Sequence, residues 1–465
     1  MSDTQEEKTV PEVPRKDKQG TEARPAKWAW VEPAAWSARM LATLEEGIKG
    51  GTWFSLIDKV WREPNLRASW ARVKANNGAA GGDRQSVKEF ERHAVEELCK
   101  LERQIKDASY QPKPVRRVQI EKPGSKETRP LGIPAVRDRG SPVHLPPLVP
   151  SAASVVQGAV RQVLEPIFEH AFAEHSYGFR PGRGAKDALR RVEGLLHEGK
   201  HWVVDADIKG YFDHIPHDQR MAKVREHIAD GRLLGLIEKF LQAGVIEEMK
   251  GWQPTKTGTP QGAVLSPLLA NLYLDELDHH MAAHGHEMTR YADDFVIQCE
   301  SEAEARAALA MIAEWTSRKG LSLHPEKTRS SDASQSGGGF DFLGYHFSRH
   351  KGRWKHWPRK KSEKRLKAAI KAHTTRNHWQ SMKAIIAKLN PLLRGWFGYF
   401  QHSSRAVLGG TDSYVRGRLR NILRKRSGRK GRARGEDHHR WPNAYFAECG
   451  LFCLSATHAQ ICQSR

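Results

Sequence analysis

Apolar positions in the segment VVQGAVRQVLEPIFEHAF recur at Val156, Val160, Val163, Leu164 and Ile167, the spacing of one helix face, and predict a helix over 155–172. The run HWVVDADIKGYF is short and rich in β-branched residues, Val203, Val204 and Ile208, and predicts a strand. SPLLANLYLDELDHHM predicts a helix with Ser266 as N-cap, Pro267 at its first position and a stripe of Leu268, Leu269 and Leu272. EMTRYADDFVIQCE alternates on both sides of an acidic centre, as a β-hairpin does. EAEARAALAMIAEWTSRKG reads as a helix stopped by Gly320. Nearer the start, 115–134 reads as a basic hairpin, with Val115, Val118 and Ile120 before a glycine-containing turn and Leu131 and Ile133 after it. Four prolines make 140–154 a loop. The C-terminal third is expected to be mainly helical, with stripes at Leu366/Ile370 and Met382/Ile385/Ile386/Leu389. Residues 1–27 are polar and charged, so folded structure is expected to begin near Trp53, with 1–52 a mostly disordered extension.

Composition adds a location for charge. The 465 residues suffice for several domains, and the net charge is +22. Residues 349–376 carry twelve Lys/Arg and one acid, Glu363; residues 416–434 carry ten and none. Together they supply 21 of the 22 net charges, so the polyanion-binding surface is expected in the C-terminal third, beside Trp354, Trp357, Trp379 and Trp396. Five cysteines and a polar amino terminus suggest a reducing, cytoplasmic setting, and no stretch approaches the ~18 apolar residues of a membrane span.

The candidate chemistry lies in the acids. Alternation puts Asp205 and Asp207 on one strand face, and the hairpin centre presents Asp293 and Asp294. Neighbouring strands could converge three carboxylates, a set that repels itself until Mg²⁺ binds, and Mg²⁺ so held keeps coordination positions for substrate phosphates. Phosphoryl transfer follows. Taken singly, an Asp-Asp turn or an Asp at a strand end is as readily explained by turn or cap chemistry.

Six segments in one order, KPGSKETRPLGIP, SYGFRPGRGAKDAL, DIKGYFDHI, TPQGAVLSPLLANLYLDELD, YADDFVIQ and FDFLGYHF, resemble the reverse transcriptases encoded by group II introns, over about residues 53–463. The resemblance implies an α+β right-hand polymerase. Fingers and a palm with a split βαβ, ferredoxin-like core would occupy 53–347, a helical thumb and maturase domain 348–425, and a short basic DNA-binding segment 426–465. It implies that Asp207, Asp293 and Asp294 are catalytic and, with the Ile208 carbonyl, hold two Mg²⁺ ions, Asp205 being a neighbour. Lys122, Arg129, Phe212, Gln261 and Lys327 would meet the incoming deoxynucleoside triphosphate. Lys122 and Arg129 would contact its phosphates, Phe212 would exclude a ribose 2′-hydroxyl, Gln261 would line the nascent pair, and Lys327 would offer a proton to pyrophosphate.

Arg180 and Arg183, ahead of a helix near Ala185, are candidate phosphate contacts, as are Lys360, Lys361, Arg424, Lys425 and Arg426 in the basic blocks. The GWFGYF aromatics Trp396, Phe397, Tyr399 and Phe400 are assigned to the thumb core. Expected partners are intron RNA, an RNA template, a DNA primer or target, and deoxynucleoside triphosphates. The 140–154 segment departs from the family pattern. Two alternatives stay open: a splicing maturase whose polymerase that insertion impairs, and a free-standing defence-type reverse transcriptase. The irregular His and Cys spacing after residue 437 lacks paired ligands, so no endonuclease is expected.

Overall fold

The computed structural model describes residues 26–48, 50–76, 78–121, 128–136, 155–247, 251–255, 257–258, 262–335 and 337–463. Strands β1 (Val115–Glu121) and β2 (Thr128–Ile133) form the expected antiparallel hairpin, with Val118 opposite Leu131. A sheet of order β2-β1-β4-β5 is completed by β4 (Val245–Glu247) and β5 (Gly251–Gln253). The proline-rich segment 140–154 lies outside the described residues.

The second sheet is built from β3 (Trp202–Asp207), β6 (Glu287–Tyr291), β7 (Asp294–Cys299) and β8 (Arg329–Asp332), in the order β6-β7-β3-β8 with every neighbour antiparallel. The Ser266–Ala283 helix precedes β6 and the Glu302–Arg318 helix follows β7, which is the split βαβ plan. Alternation gives the sheet two apolar faces. Val204, Ala206, Phe295 and Ile297 pack on Leu274, Leu277 and Met281 of the first helix and Ile312 and Trp315 of the second. Val203 and Val296 point the other way, against Val192 and Leu196 of the Ala185–His197 helix and Phe340, Phe342 and Phe347. Those phenylalanines belong to a third sheet, order β11-β10-β9, made of β9 (Phe340–Phe342), β10 (Tyr345–His350) and β11 (Arg353–Pro358).

Three expectations need correction. The chain is folded well before Trp53: Trp28 and Trp36 are buried in the same core as Val160 and Leu164, and the Trp36 indole donates to the Gln162 and Val163 carbonyls at 3.2 Å. A few tryptophans bury enough apolar area to order a segment whose average composition is polar. Residues 345–358 are two strands, so the region from 348 does not begin helical; Tyr345 and Phe347 alternate inward in a stretch otherwise dominated by charge. The boundary at 426 does not separate two units either. Trp441, Phe446 and Leu454 share one core with Leu366, Ile385, Leu389, Leu408 and Leu419 of the Lys360–His373, Met382–Phe400 and Arg405–Arg426 helices. Buried Asp412 ties the ends together by accepting from the Leu454 and Ser455 amides, both at 2.9 Å.

Of the GWFGYF aromatics, Phe397 lies in that helical core, whereas Tyr399 and Phe400 fasten it to the palm. The Tyr399 hydroxyl donates to the Leu343 carbonyl and the Tyr345 hydroxyl to the Tyr399 carbonyl, each at 2.7 Å.

Candidate active site

The β3–β7 register sets Asp207 directly opposite Asp294. Side chains so paired have Cβ atoms ~4.5–5.5 Å apart. Asp205 and Asp207 share the face of Val203, and Asp294 shares the face of Val296, so the carboxylates emerge on one side where the sheet ends. Asp293 completes the set from the turn between Tyr291 and Asp294. The register thus sets Asp207 and Asp294 side by side, with Asp293 in the adjoining turn.

That turn is strained and held. Ala292, which is not glycine, has φ +61°, in the left-handed region that costs ~1–2 kcal/mol. The fully buried Arg290 supports it: the guanidinium donates to the Ala292 carbonyl at 2.9 Å, to Asn271 Oδ1 at 2.9 Å and to Asp278 Oδ1 at 2.8 Å. Burial works against its charge, yet the Asp278 carboxylate raises its pKa above the ordinary value. From the other side, Gly178 presses on the turn. A Cβ there would lie 2.2 Å from the Ala292 nitrogen, while the Gly178 carbonyl accepts from Asn271 Nδ2 at 2.7 Å.

Sequence reasoning missed Arg290, Asn271, Asp278 and Gly178. A signal existed. Asn271, Asp275 and Asp278 recur at helical spacing along an otherwise leucine-rich helix and are all buried, which calls for a buried partner.

Burial, then repulsion from Asp205, Asp293 and Asp207, pushes the Asp294 carboxyl up to about 7. Burial and Asp207 raise Asp293, and burial raises Asp205 to about 6 against the pull of Arg329. Such a set resists carrying its full negative charge until a cation is near. Lys327 already supplies one, pairing with Asp207. The segment carrying it is fixed beside β3, because the His324 amide donates to the Asp207 carbonyl at 2.7 Å and Ile208 bridges Leu323. The donors are all hard oxygens with no thiolate or imidazole among them, which fits Mg²⁺ rather than a softer metal.

Phe212 follows Gly210, whose φ of +58° turns the chain out of β3 into the short Tyr211–His214 helix. Its ring is half-buried and edge-on to Tyr211 at 5.5 Å, and Tyr211 is anchored by donating to the Ala270 carbonyl at 2.6 Å. Gly262, with φ +112°, brings its backbone against Gly132 of β2; a Cβ would lie 2.5 Å from the Gly132 carbonyl oxygen. The hairpin thus meets the approach to the Ser266 helix. Lys122 and Gln261 lie outside the described residues, and for Arg129 only its place in β2, opposite Ile120, is described.

Arg180 is not a phosphate contact. It is buried and donates to Glu169 at 2.8 and 2.9 Å and to the Ser176 carbonyl at 2.9 Å, a structural role. Arg183 is partly exposed and bonds the Glu174 carbonyl. Lys360 and Lys361 are exposed at the start of their helix. Arg424 pairs with Asp437 at 2.6 Å, while Lys425 and Arg426 bind Asn377 and the His378 and Gln380 carbonyls.

Residues 146–347 match the family described as reverse transcriptase (RNA-dependent DNA polymerase), and residues 363–441 match the group II intron, maturase-specific domain. Over 185 residues the chain is 43% identical to the group II intron-encoded protein LtrA of Lactococcus lactis subsp. cremoris, covering 39% of this chain and 28% of LtrA. Protein YkfC of Escherichia coli (strain K12) is 30% identical over 375 residues, 70% of this chain and 90% of YkfC. An uncharacterized 91 kDa protein in the cob intron of Schizosaccharomyces pombe is 37% identical over 185 residues, covering 40% of this chain and 21% of its own length. The chain thus spans under a third of the LtrA length, yet nearly all of YkfC. With the two family matches side by side on a palm of this topology, the chain belongs to the group II intron-encoded reverse transcriptases and maturases.

Proposed function

We propose that the protein extends a DNA primer on an RNA template and binds intron RNA to assist splicing and mobility. The observation carrying this is the Asp207–Asp294 pairing across adjacent strands, with Asp293 in the turn beside them. Asp207, Asp293 and Asp294 would hold two Mg²⁺ ions, with the Ile208 carbonyl as a backbone ligand. Ions held by these residues would supply activation of an attacking hydroxyl and charge neutralisation at the leaving oxygen of an in-line displacement.

The protein's own groups do the rest. Arg290 and Gly178 fix the turn, so Asp293 and Asp294 do not have to reorganise when substrate arrives. Lys327 pairs with Asp207, and its side chain is 60% exposed, so it could swing toward a triphosphate and give a proton to departing pyrophosphate. Phe212, seated against Tyr211, would crowd a ribose 2′-hydroxyl. Among the described residues no helix is long and apolar enough to cross a membrane.

Primer extension on an RNA template, run beside splicing of an intron transcript, tests the reading. Wild-type protein is expected to extend in Mg²⁺ and stop in EDTA, and Asp294→Ala to lose extension while still binding RNA. Splicing without extension by the wild type would leave only the maturase half.

A further inference from the structure

Trp379 is the most exposed large apolar side chain among the described residues, at 87%. It sits in the loop between the Lys360–His373 and Met382–Phe400 helices, and that loop is tightly fastened. Arg426 donates to the carbonyls of His378 and Gln380, the residues on either side of Trp379. Lys425 donates to Asn377 Oδ1, and Arg418 to Thr374 Oγ1 at 3.0 Å and to the Thr374 carbonyl at 2.6 Å. A loop left to solvent has no need of three cationic clamps.

The partners of those clamps are all neutral, so the bonds that hold Arg418, Lys425 and Arg426 set no carboxylate against them. Along the chain their surroundings are mostly of one sign, and the nearby Asp437 is already paired with Arg424. Residues 364–435 contain nineteen Lys/Arg and a single acid, Asp412, which is buried and occupied by the Leu454 and Ser455 amides. A flat, exposed indole on a fastened loop amid positive charge is complementary to an unpaired nucleobase with its phosphates alongside.

We propose that Trp379 is a stacking platform for an unpaired base of a bound nucleic-acid strand, with Lys425 and Arg426 holding the loop in place and supplying charge to the flanking phosphates. The proposal rests on the RNA-binding reading above. It also gives Lys425 and Arg426 a second duty beside the phosphate contact expected of them: they position the loop. Because the backbone is already fixed, stacking costs little further ordering.

The test is fluorescence anisotropy with a labelled single-stranded oligoribonucleotide, the same strand in a duplex, and the deoxyribose version, over a range of salt. Trp379→Ala is expected to weaken single-strand binding by roughly 5- to 150-fold, the worth of one stacked base, with the salt slope unchanged because no cation is lost. Trp379→Phe should restore most of the affinity, and Arg426→Met should lower both affinity and slope. Photocrosslinking with 5-iodouridine in the strand should label the Trp379 peptide. A loss on both RNA and DNA strands assigns the site to the base; a loss on RNA alone adds a ribose contact. Wild-type affinity in Trp379→Ala, or a loss as large on the duplex, would overturn the platform. Absence of salt-dependent RNA binding by the wild type would instead overturn the reading beneath it.

Discussion

Replacing Arg290 by Met removes a guanidinium that holds Asp278, Asn271 and the Ala292 carbonyl at 2.8–2.9 Å inside a fully buried site. The larger consequence is what stays behind: an Asp278 carboxylate, 7% exposed, with no counter-charge. Breaking one side of a buried pair costs ~3–5 kcal/mol. The double variant Arg290→Met with Asp278→Asn removes the stranded charge and should recover part of that loss. Urea denaturation at neutral pH gives the stabilities. Activity should behave differently. In both variants the strained Ala292 turn has lost its support, and a misplacement of ~1 Å costs ~10²-fold in rate. Single-turnover nucleotide addition should therefore stay low in the double variant although its stability improves. An Arg290→Met protein within ~1 kcal/mol of wild type and extending normally would refute the reasoning.

Gly178→Ala forces a Cβ to within 2.2 Å of the Ala292 nitrogen, so extension should fall at least tenfold while RNA affinity, measured by anisotropy, holds. Arg220 is buried with none of its three guanidinium nitrogens hydrogen-bonded, and burial lowers its pKa to about 10. Arg220→Leu should accordingly raise stability by ~1–3 kcal/mol in urea titrations. For Glu276, burial works to raise the pKa, but Lys223 and Lys319 prevail and bring it down to about 2 from 4.5. A depressed carboxyl contributes stability that is full above the unfolded value and lost as pH falls through the folded one. Wild type and Glu276→Gln should thus differ in melting temperature above pH 4.5 and converge toward pH 2.

Much of the palm was legible because its signals are local. The period-two alternation around Asp207 and Asp293–Asp294 fixed which face the acids take, and Pro267 and Gly320 marked helix ends that the structure places at Ser266–Ala283 and Glu302–Arg318. What stayed hidden depends on tertiary partners. Nothing near Arg180 in the chain says that Glu169 will claim its guanidinium, so a glycine-flanked arginine ahead of a helix looked like a phosphate site. The buried Arg290–Asp278 pair shows only as a polar stripe on a leucine-rich helix until the fold brings the two together. The error before Trp53 came from averaging: a few tryptophans outweigh many polar neighbours in buried area, and composition counts them equally.

The central claim is that Asp207, Asp293 and Asp294 act together as one metal-holding centre for DNA synthesis. Its most direct test is single-turnover addition of one deoxynucleotide to a primer on an RNA template by wild type, Asp207→Asn, Asp293→Asn and Asp294→Asn, across a Mg²⁺ titration, with template affinity measured on the same preparations. All three variants should lose addition by more than a thousandfold at every Mg²⁺ concentration and bind template within a few-fold of wild type. Any one of them adding nucleotide at near the wild-type rate would contradict the account.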